Sequence, residues 1–297
     1  MNFIIRNYKT EDLDEVFQMG QFLGLSIQYN GDYKAENIFC LVDKEDHLHG
    51  IGCLILDATW YVIDEIDTIH LMNYKIQLNE NITDTRTYES MLMDRLIERL
   101  KEIKTIYPTK TLGICSYCED KDISDMEFLL SKSFEMSGVV PVFKYQLSKE
   151  IPSFELPEDI KIKEYQFTDG KAMANYQKAN KDASDGIADS EPELWFRTGA
   201  PEFKCYVATA GDEIVGAIST WFIDEGHSAT ENIFVTKEYR RKNIAKKLIT
   251  VVLTELKDND KQIATLSTKG TNKNAIKLYQ SLGYELFYNL VEMHYVI

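Results

Sequence analysis

The sequence predicts a mixed α/β protein, an α+β design around a mixed sheet, built as two tandem domains with one order of elements. Three observations carry this. A succession of strand-like and helix-like segments runs twice along the 297 residues. The closing stretch of the first run, Phe134 to Leu147, lines up without a gap with Tyr284 to Ile297. Composition is that of a globular chain, 44% apolar and 27% charged. A repeat of about 150 residues is a duplicated domain, because solenoid repeats are far shorter.

The elements follow in order. Ile4 to Tyr8 reads as a strand, and Thr10 is the expected N-cap of a helix that reaches Phe17. A hairpin follows, Ile38–Val42 and Gly50–Leu56 around a charged turn. Then come a strand over Thr68–Ile76, an amphipathic helix over Tyr88–Ile103, and a strand, short helix and strand to close. In the second run Ile160–Tyr165 alternates as a strand, and Thr168-Asp169 opens a helix. Cys205–Ala210 and Ile214–Thr220 form a hairpin around Gly211-Asp212-Glu213, followed by a strand over Thr230–Val235 and a helix over Asn243–Lys257. The predicted domains are 1–147 and 160–297. Between them, 148–159 carries Pro152 and Pro157 and reads as a linker.

Charge and cysteine usage exclude several functions. A formal net charge of −15 repels nucleic acid. The N-terminus lacks the basic-then-apolar layout of a secretory signal. No apolar run approaches the roughly 20 residues that span a bilayer. No membrane partner is expected, and the expected compartment is the cytoplasm. Five cysteines at irregular spacing argue against a disulfide framework. The lone Cys115-Ser116-Tyr117-Cys118 has no second CxxC and no nearby histidine, so it reads as ordinary partly buried thiols. The five histidines are scattered, and no metal is expected.

Against this acidic background, six of the eleven residues from Lys237 to Lys247 are Lys or Arg. They lie where a β-branched strand stops and a helix starts. The first N–H groups of a helix have no internal partner and the helix dipole is positive there, which makes an anion cradle. Ala245 is small, and Asn243 tolerates unusual dihedrals. The competing reading is a solvated basic helix start. A second cluster, Thr271 to Tyr284, reads as a short helix capped by Asn272 or Thr271 and stopped by Gly283. By pattern alone Tyr279 is a packing aromatic of that helix.

Together the clusters resemble the GNAT superfamily of N-acetyltransferases. Arg240-Arg241-Lys242-Asn243-Ile244-Ala245 is similar to its Arg/Gln-x-x-Gly-x-Gly/Ala pyrophosphate motif, with Asn243 at the first glycine. Asn272, Ala275, Leu278-Tyr279 and Gly283-Tyr284 are similar to its Asn-x-x-Ala-x-x-Leu-Tyr-x-x-x-Gly-Phe/Tyr helix. The resemblance implies two tandem GNAT-like acyl-CoA N-acyltransferase domains, the second of them catalytic. Acetyl-CoA would be the co-substrate, without a metal, and acetyl would pass directly to a primary amine. Backbone groups of Arg240, Arg241, Lys242, Asn243, Ile244 and Ala245 would hold the pyrophosphate. Strand residues Phe234 and Val235 would pair with the pantetheine arm, and Asn272 would hydrogen-bond it. Tyr279 would protonate the departing thiolate. Glu231 is the candidate base; its alternative is a solvent-facing strand residue, and the sequence weighs the two equally.

The first half keeps the element order without the chemistry. No glycine lies between Asn73 and Leu100, only Arg86 is basic between Lys75 and Arg95, and Leu129 and Ser133 stand where Tyr279 and Gly283 stand. It is expected to be a degenerate domain without acetyl-CoA binding. For the acceptor, Asp182, Asp185, Asp189, Glu191 and Glu193, followed by Trp195, suit a cationic small-molecule amine or form a solvated acidic loop. A peptide amine is the second choice. The alternatives to an enzyme are an acyl-CoA sensor or scaffold, or two unrelated binding modules.

Overall fold

The computed structural model describes residues 3–297. They form two compact units: the first runs to Ser137 and adds Glu292–Ile297, and the second is Gly138–Val291.

The first unit opens with β1 (Ile4–Asn7), a 3-10 turn, α1 (Leu13–Met19) and α2 (Gln21–Tyr29). It continues through β2 (Tyr33–Val42), β3 (Leu48–Leu56), β4 (Ile69–Leu78), α3 (Thr85–Ile106), β5 (Thr111–Glu119) and α4 (Ile123–Ser131). Strands β1 to β4 pair antiparallel in sequence order, and β5 pairs parallel to β4. A parallel neighbour needs a crossover, which α3 provides. Leu92, Leu96 and Leu100 recur every fourth residue, all fully buried, so α3 lays one apolar face on the sheet.

The start of the first helix differs from expectation. Thr10 does not cap it: residues 10–12 form the 3-10 turn, and α1 begins at Leu13. Asp12 takes over the organising role. Its carboxylate accepts from the Lys9 N–H at 2.7 Å and from Arg6 at 2.7 and 2.8 Å, which pulls the chain into the tighter turn first.

After β6 (Glu135–Gln146), the second unit contains β7 (Ile160–Glu164), α5 (Gly170–Ala183), α6 (Glu191–Thr198), β8 (Lys204–Ala210) and β9 (Glu213–Asp224). β10 (His227–Val235), α7 (Ile244–Asp258), β11 (Ile263–Ser267), α8 (Lys273–Ser281) and the first part of β12 (Glu285–Val296) complete it, the rest of β12 from Glu292 on belonging to the first unit. The strand order is β7-β8-β9-β10-β11-β6. All these neighbours are antiparallel except β10 and β11. Asp169 caps α5 by accepting from the Ala172 N–H at 2.8 Å. Leu248, Ile249, Val252 and Leu253 of α7 pack with Phe143, Tyr145 and Leu266 as the core.

The order strand, long helix, parallel strand, short helix therefore occurs in both units, as β4-α3-β5-α4 and β10-α7-β11-α8. The compact units divide the chain elsewhere than the repeat at 147 and 160 does. Residues 142–146 of β6 pair with β11, and Ile297 exchanges hydrogen bonds of 2.9 and 3.1 Å with Leu112. Each unit thus includes part of a strand from the other half of the sequence. The 148–159 segment is also packed: Ile151, Phe154 and Leu156 lie on the second unit's core, and Tyr145 donates to the Glu150 carbonyl at 2.8 Å. Among the described residues, no helix is long and apolar enough to cross a membrane.

Candidate active site

In the second unit, β10 and β11 are registered only over His227–Ala229 and Ile263–Thr265. The Thr230 hydroxyl donates to the Thr265 carbonyl at 2.9 Å, and beyond this tie no further parallel register continues. On its other edge β10 carries a bulge. Glu231 faces Ser219 and Phe234 faces Ala217, so Asn232 and Ile233 together oppose one residue, Ile218. Asn232 absorbs the extra residue at φ 53°. A bulge bends its strand, here where β10 leaves β11. A cleft of about 1150 Å³ follows, lined by Thr230 to Val235, the Tyr239–Lys246 turn and the start of α8.

The basic loop closes one end. Arg241 at φ 68° and Asn243 at φ 61° are both left-handed, and α7 starts at Ile244. Such alternation turns successive N–H groups inward as an anion nest. Asn243 thus adopts the conformation for which glycine is usual, and Asn tolerates it best among the side-chain-bearing residues with Asp. Arg240 is braced to backbone: Nε donates to the Val235 carbonyl at 3.1 Å and Nη2 to the Ala183 carbonyl at 2.8 Å. Lys242 lies over the Tyr239 ring, 4.6 Å from its centroid. Ile244 is buried and pins the helix start to the core, while Ala245 lines the cleft. Gly216 on β9 is required here, since a Cβ would come within 2.9 Å of the Phe234 carbonyl. The Phe234 side chain packs on Tyr176 with ring centroids 5.5 Å apart, so its backbone is what borders the cleft.

Asn272 caps α8, accepting from the Ala275 N–H at 3.2 Å. Gly283 ends that helix at φ 96°, as its position suggested. Tyr279 is buried at 5% exposure, near Phe143 and Tyr284, yet it lines the cleft. Among the described residues its hydroxyl has no hydrogen-bond partner. Burial pushes its pKa up to about 12, so it stays protonated at neutral pH.

Glu231 is partly buried rather than solvent-facing, and it lines the same cleft. Burial raises its pKa to about 7, with Arg197 pulling down and Asp189 and Glu193 pushing up. Arg197 was not singled out by the sequence. It lies on α6, a helix within a stretch read as loop, where Ser190 caps by accepting from the Glu193 N–H at 3.1 Å. Its Nε donates to Glu193 at 2.9 Å, its Nη1 is 3.6 Å from Asp189, and the guanidinium lies 5.9 Å over Trp221. The Ser190-Glu191-Pro192 start was the signal available.

The acidic stretch divides. Asp189 and Glu193 join Arg197, whereas Asp185 pairs with Lys237 of the basic loop at 2.8 Å. Glu191 accepts from the Trp195 indole at 3.2 Å.

In the first unit the matching strands β4 and β5 pair over 69–73 and 111–115. Just beyond, the Tyr74 hydroxyl meets the Ser116 hydroxyl at 3.4 Å, and the Tyr74 ring packs edge-on against Phe134. Aromatic side chains occupy this position. At the start of α3, Arg86 pairs with Glu89 and Asp125 at 3.1 and 2.9 Å.

Residues 171–284 match the model of the Acetyltransferase (GNAT) family. N-alpha-acetyltransferase 30 of Xenopus laevis is 34% identical over 86 residues, 27% of this chain and 31% of that protein. The chain thus matches less than a third of that curated relative. A tandem GNAT protein from the clavulanic acid biosynthesis pathway aligns over 99% of this chain and 98% of its own, with TM-score 0.65 and 11% identity. A GCN5-related N-acetyltransferase from Sphaerobacter thermophilus aligns over 99% and 95%, with TM-score 0.62 and 16% identity. At such identities the likeness is one of fold, and it includes the N-terminal half.

Proposed function

We propose, on the premise that residues 171–284 are a GNAT acetyltransferase domain, that this chain transfers acetyl from acetyl-CoA directly to a primary amine of a small molecule. The observation that carries the reading is one cleft bordered by the left-handed loop of Arg241 and Asn243, by Glu231 and by Tyr279.

The residues fit the co-substrate. N–H groups of 240–245 and the α7 N-terminus would take the pyrophosphate. The backbone of Phe234 and Val235 would pair with the pantetheine arm, with the Asn272 amide beside it. Acetyl-CoA supplies the activated thioester. Glu231 takes a proton from the amine, directly or through water, and the freed lone pair attacks the carbonyl carbon. The C–N bond forms, the C–S bond breaks, Tyr279 gives its proton to the departing sulfur, and the second proton of the attacking nitrogen leaves through water to restore the Tyr279 hydroxyl. A backbone N–H of the bulged strand stabilises the oxyanion. The first unit, with Tyr74 and Phe134 at the matching position, is a GNAT-like domain without a cofactor site.

The test is calorimetric titration of acetyl-CoA into the native chain and an Arg240→Ala/Arg241→Ala variant. One site per chain, weakened about tenfold or more as loop bracing and charge are lost, supports the reading. Two sites would return the first unit to the cofactor-binding class, and no binding sinks the proposal. A second reading, transfer to a peptide N-terminus, is favoured by the name of the Xenopus laevis relative. Parallel turnover of small amines and short peptides separates the two.

A further inference from the structure

In the first unit, Cys115 of β5 and Glu292 and His294 of β12 bring a thiol, a carboxylate and an imidazole within 4.8 Å of one another. The Leu112–Ile297 pair sets an antiparallel register that carries Cys115 opposite His294 and Tyr117 opposite Glu292. Opposed residues, and residues two apart, share a face of a sheet. One oxygen is the focus. Glu292 Oε1 lies 3.1 Å from His294 Nε2, 3.4 Å from the Tyr117 hydroxyl and 4.0 Å from the Cys115 sulfur. Cys115 is 3% exposed and Glu292 9%. Among the described residues, no Lys or Arg pairs with Glu292; its ion-pair partner is His294. A buried carboxylate with no permanent cation beside it is the kind that pairs with one or coordinates a metal.

We propose that this cluster binds a divalent transition-metal ion of the zinc class, through Cys115 Sγ, a Glu292 carboxylate oxygen and a His294 ring nitrogen. The donor set suits such an ion. With bonds of about 2.3 Å to sulfur and about 2.0–2.1 Å to nitrogen or oxygen, tetrahedral zinc spaces its ligand atoms about 3.3–3.6 Å apart. The 3.1 Å and 4.0 Å separations bracket that spacing, so small side-chain rotations complete the site. Thiolate and carboxylate together neutralise the ion. As the sulfur–metal bond forms, the thiol proton leaves to solvent, so affinity rises with pH. Water beside the half-exposed Tyr117 fills the fourth position. The ion would cross-link β5 to a strand 177 residues away in sequence.

Cobalt(II) is the probe, added to the 297-residue chain stripped with a chelator. The expected result is one ion per chain, a thiolate-to-cobalt charge-transfer band with the intense visible bands of four-coordinate cobalt, and displacement by zinc. Cys115→Ser should abolish the charge-transfer band. His294→Ala should weaken zinc at least about tenfold. Cys118→Ser should leave the spectrum unchanged. If Cys115→Ser fails to fold, the zinc affinity of His294→Ala decides between the two outcomes. Absence of the band in native protein, its loss in Cys118→Ser, or undiminished zinc affinity in His294→Ala overturns the site and leaves a hydrogen-bonded polar cluster.

Discussion

With Glu231 as the proposed base, rising pH is expected to act on activity and stability in opposite senses. A base must be ionised, and with a pKa of about 7 the carboxylate forms only as pH climbs through neutrality. The acidic limb of the kcat/KM profile is therefore expected near pH 7. Arg197→Ala should move it to higher pH, because Arg197 favours the charged form. Unchanged limbs in Arg197→Ala and Glu231→Gln would remove Glu231 as the base. For stability, the folded pKa lies above the ordinary 4.5, so the folded state holds a proton that the unfolded state releases. Stability from this group is lost as pH rises from about 4.5 to about 7. Glu231→Gln should then raise stability by about 1–2 kcal/mol at pH 8 while slowing turnover; denaturant melts read this directly. Tyr279→Phe should slow transfer about a hundredfold and leave acetyl-CoA affinity unchanged, and equal loss of both would make Tyr279 a packing residue. The sequence named Glu231 and Tyr279 because both lie within motif distance of local landmarks. Arg197 escaped because its partners, Glu193 aside, are assembled by the fold. Cys115 was noticed in its CxxC but set aside for want of a second CxxC and a nearby histidine in sequence, and its neighbours Glu292 and His294 were not singled out because only the fold brings them to it.

At the scale of elements, the turn into α7 and the bulge in β10 do the positioning. The turn needs left-handed backbone at Arg241 and Asn243. Asn243→Gly should therefore keep acetyl-CoA affinity. A β-branched residue there is strained by about 1–2 kcal/mol, so Asn243→Val should weaken binding about 5- to 30-fold by calorimetry. Equal affinities for the two variants would show that the loop's dihedrals do not matter. The turn was legible because charge, a strand end and a helix start coincide within a dozen residues. The bulge was not. Nothing in Glu231-Asn232-Ile233-Phe234 marks an extra residue except Asn232, whose tolerance of positive φ is visible only once the register with β9 is known. Helix α6 was missed because its eight residues offer too few turns for periodicity to outweigh their polar surroundings, and α2 because Gly20 and Gly24 interrupt its apolar run and no side chain caps its start.

At the scale of the molecule, the duplicated order of elements was legible from the closing alignment, which survives because both copies need the same alternation to form a sheet. Which strand joins which unit was not, since pairing partners leave no mark on local pattern. Separate chains of 1–147 and 148–297 are expected to be much less stable than the whole, as each lacks a strand its unit uses; independent cooperative melts at the parental temperature would contradict this. The same arrangement has a consequence for synthesis. A chain emerges from the ribosome in order, and β5 meets residues 292–297 only after the entire second half has been translated. At about 5–20 residues per second, that leaves the β5 edge open for roughly ten seconds or more. An open edge is a template for pairing with a neighbouring nascent chain, so the first unit is expected to be most exposed to mispairing during that interval.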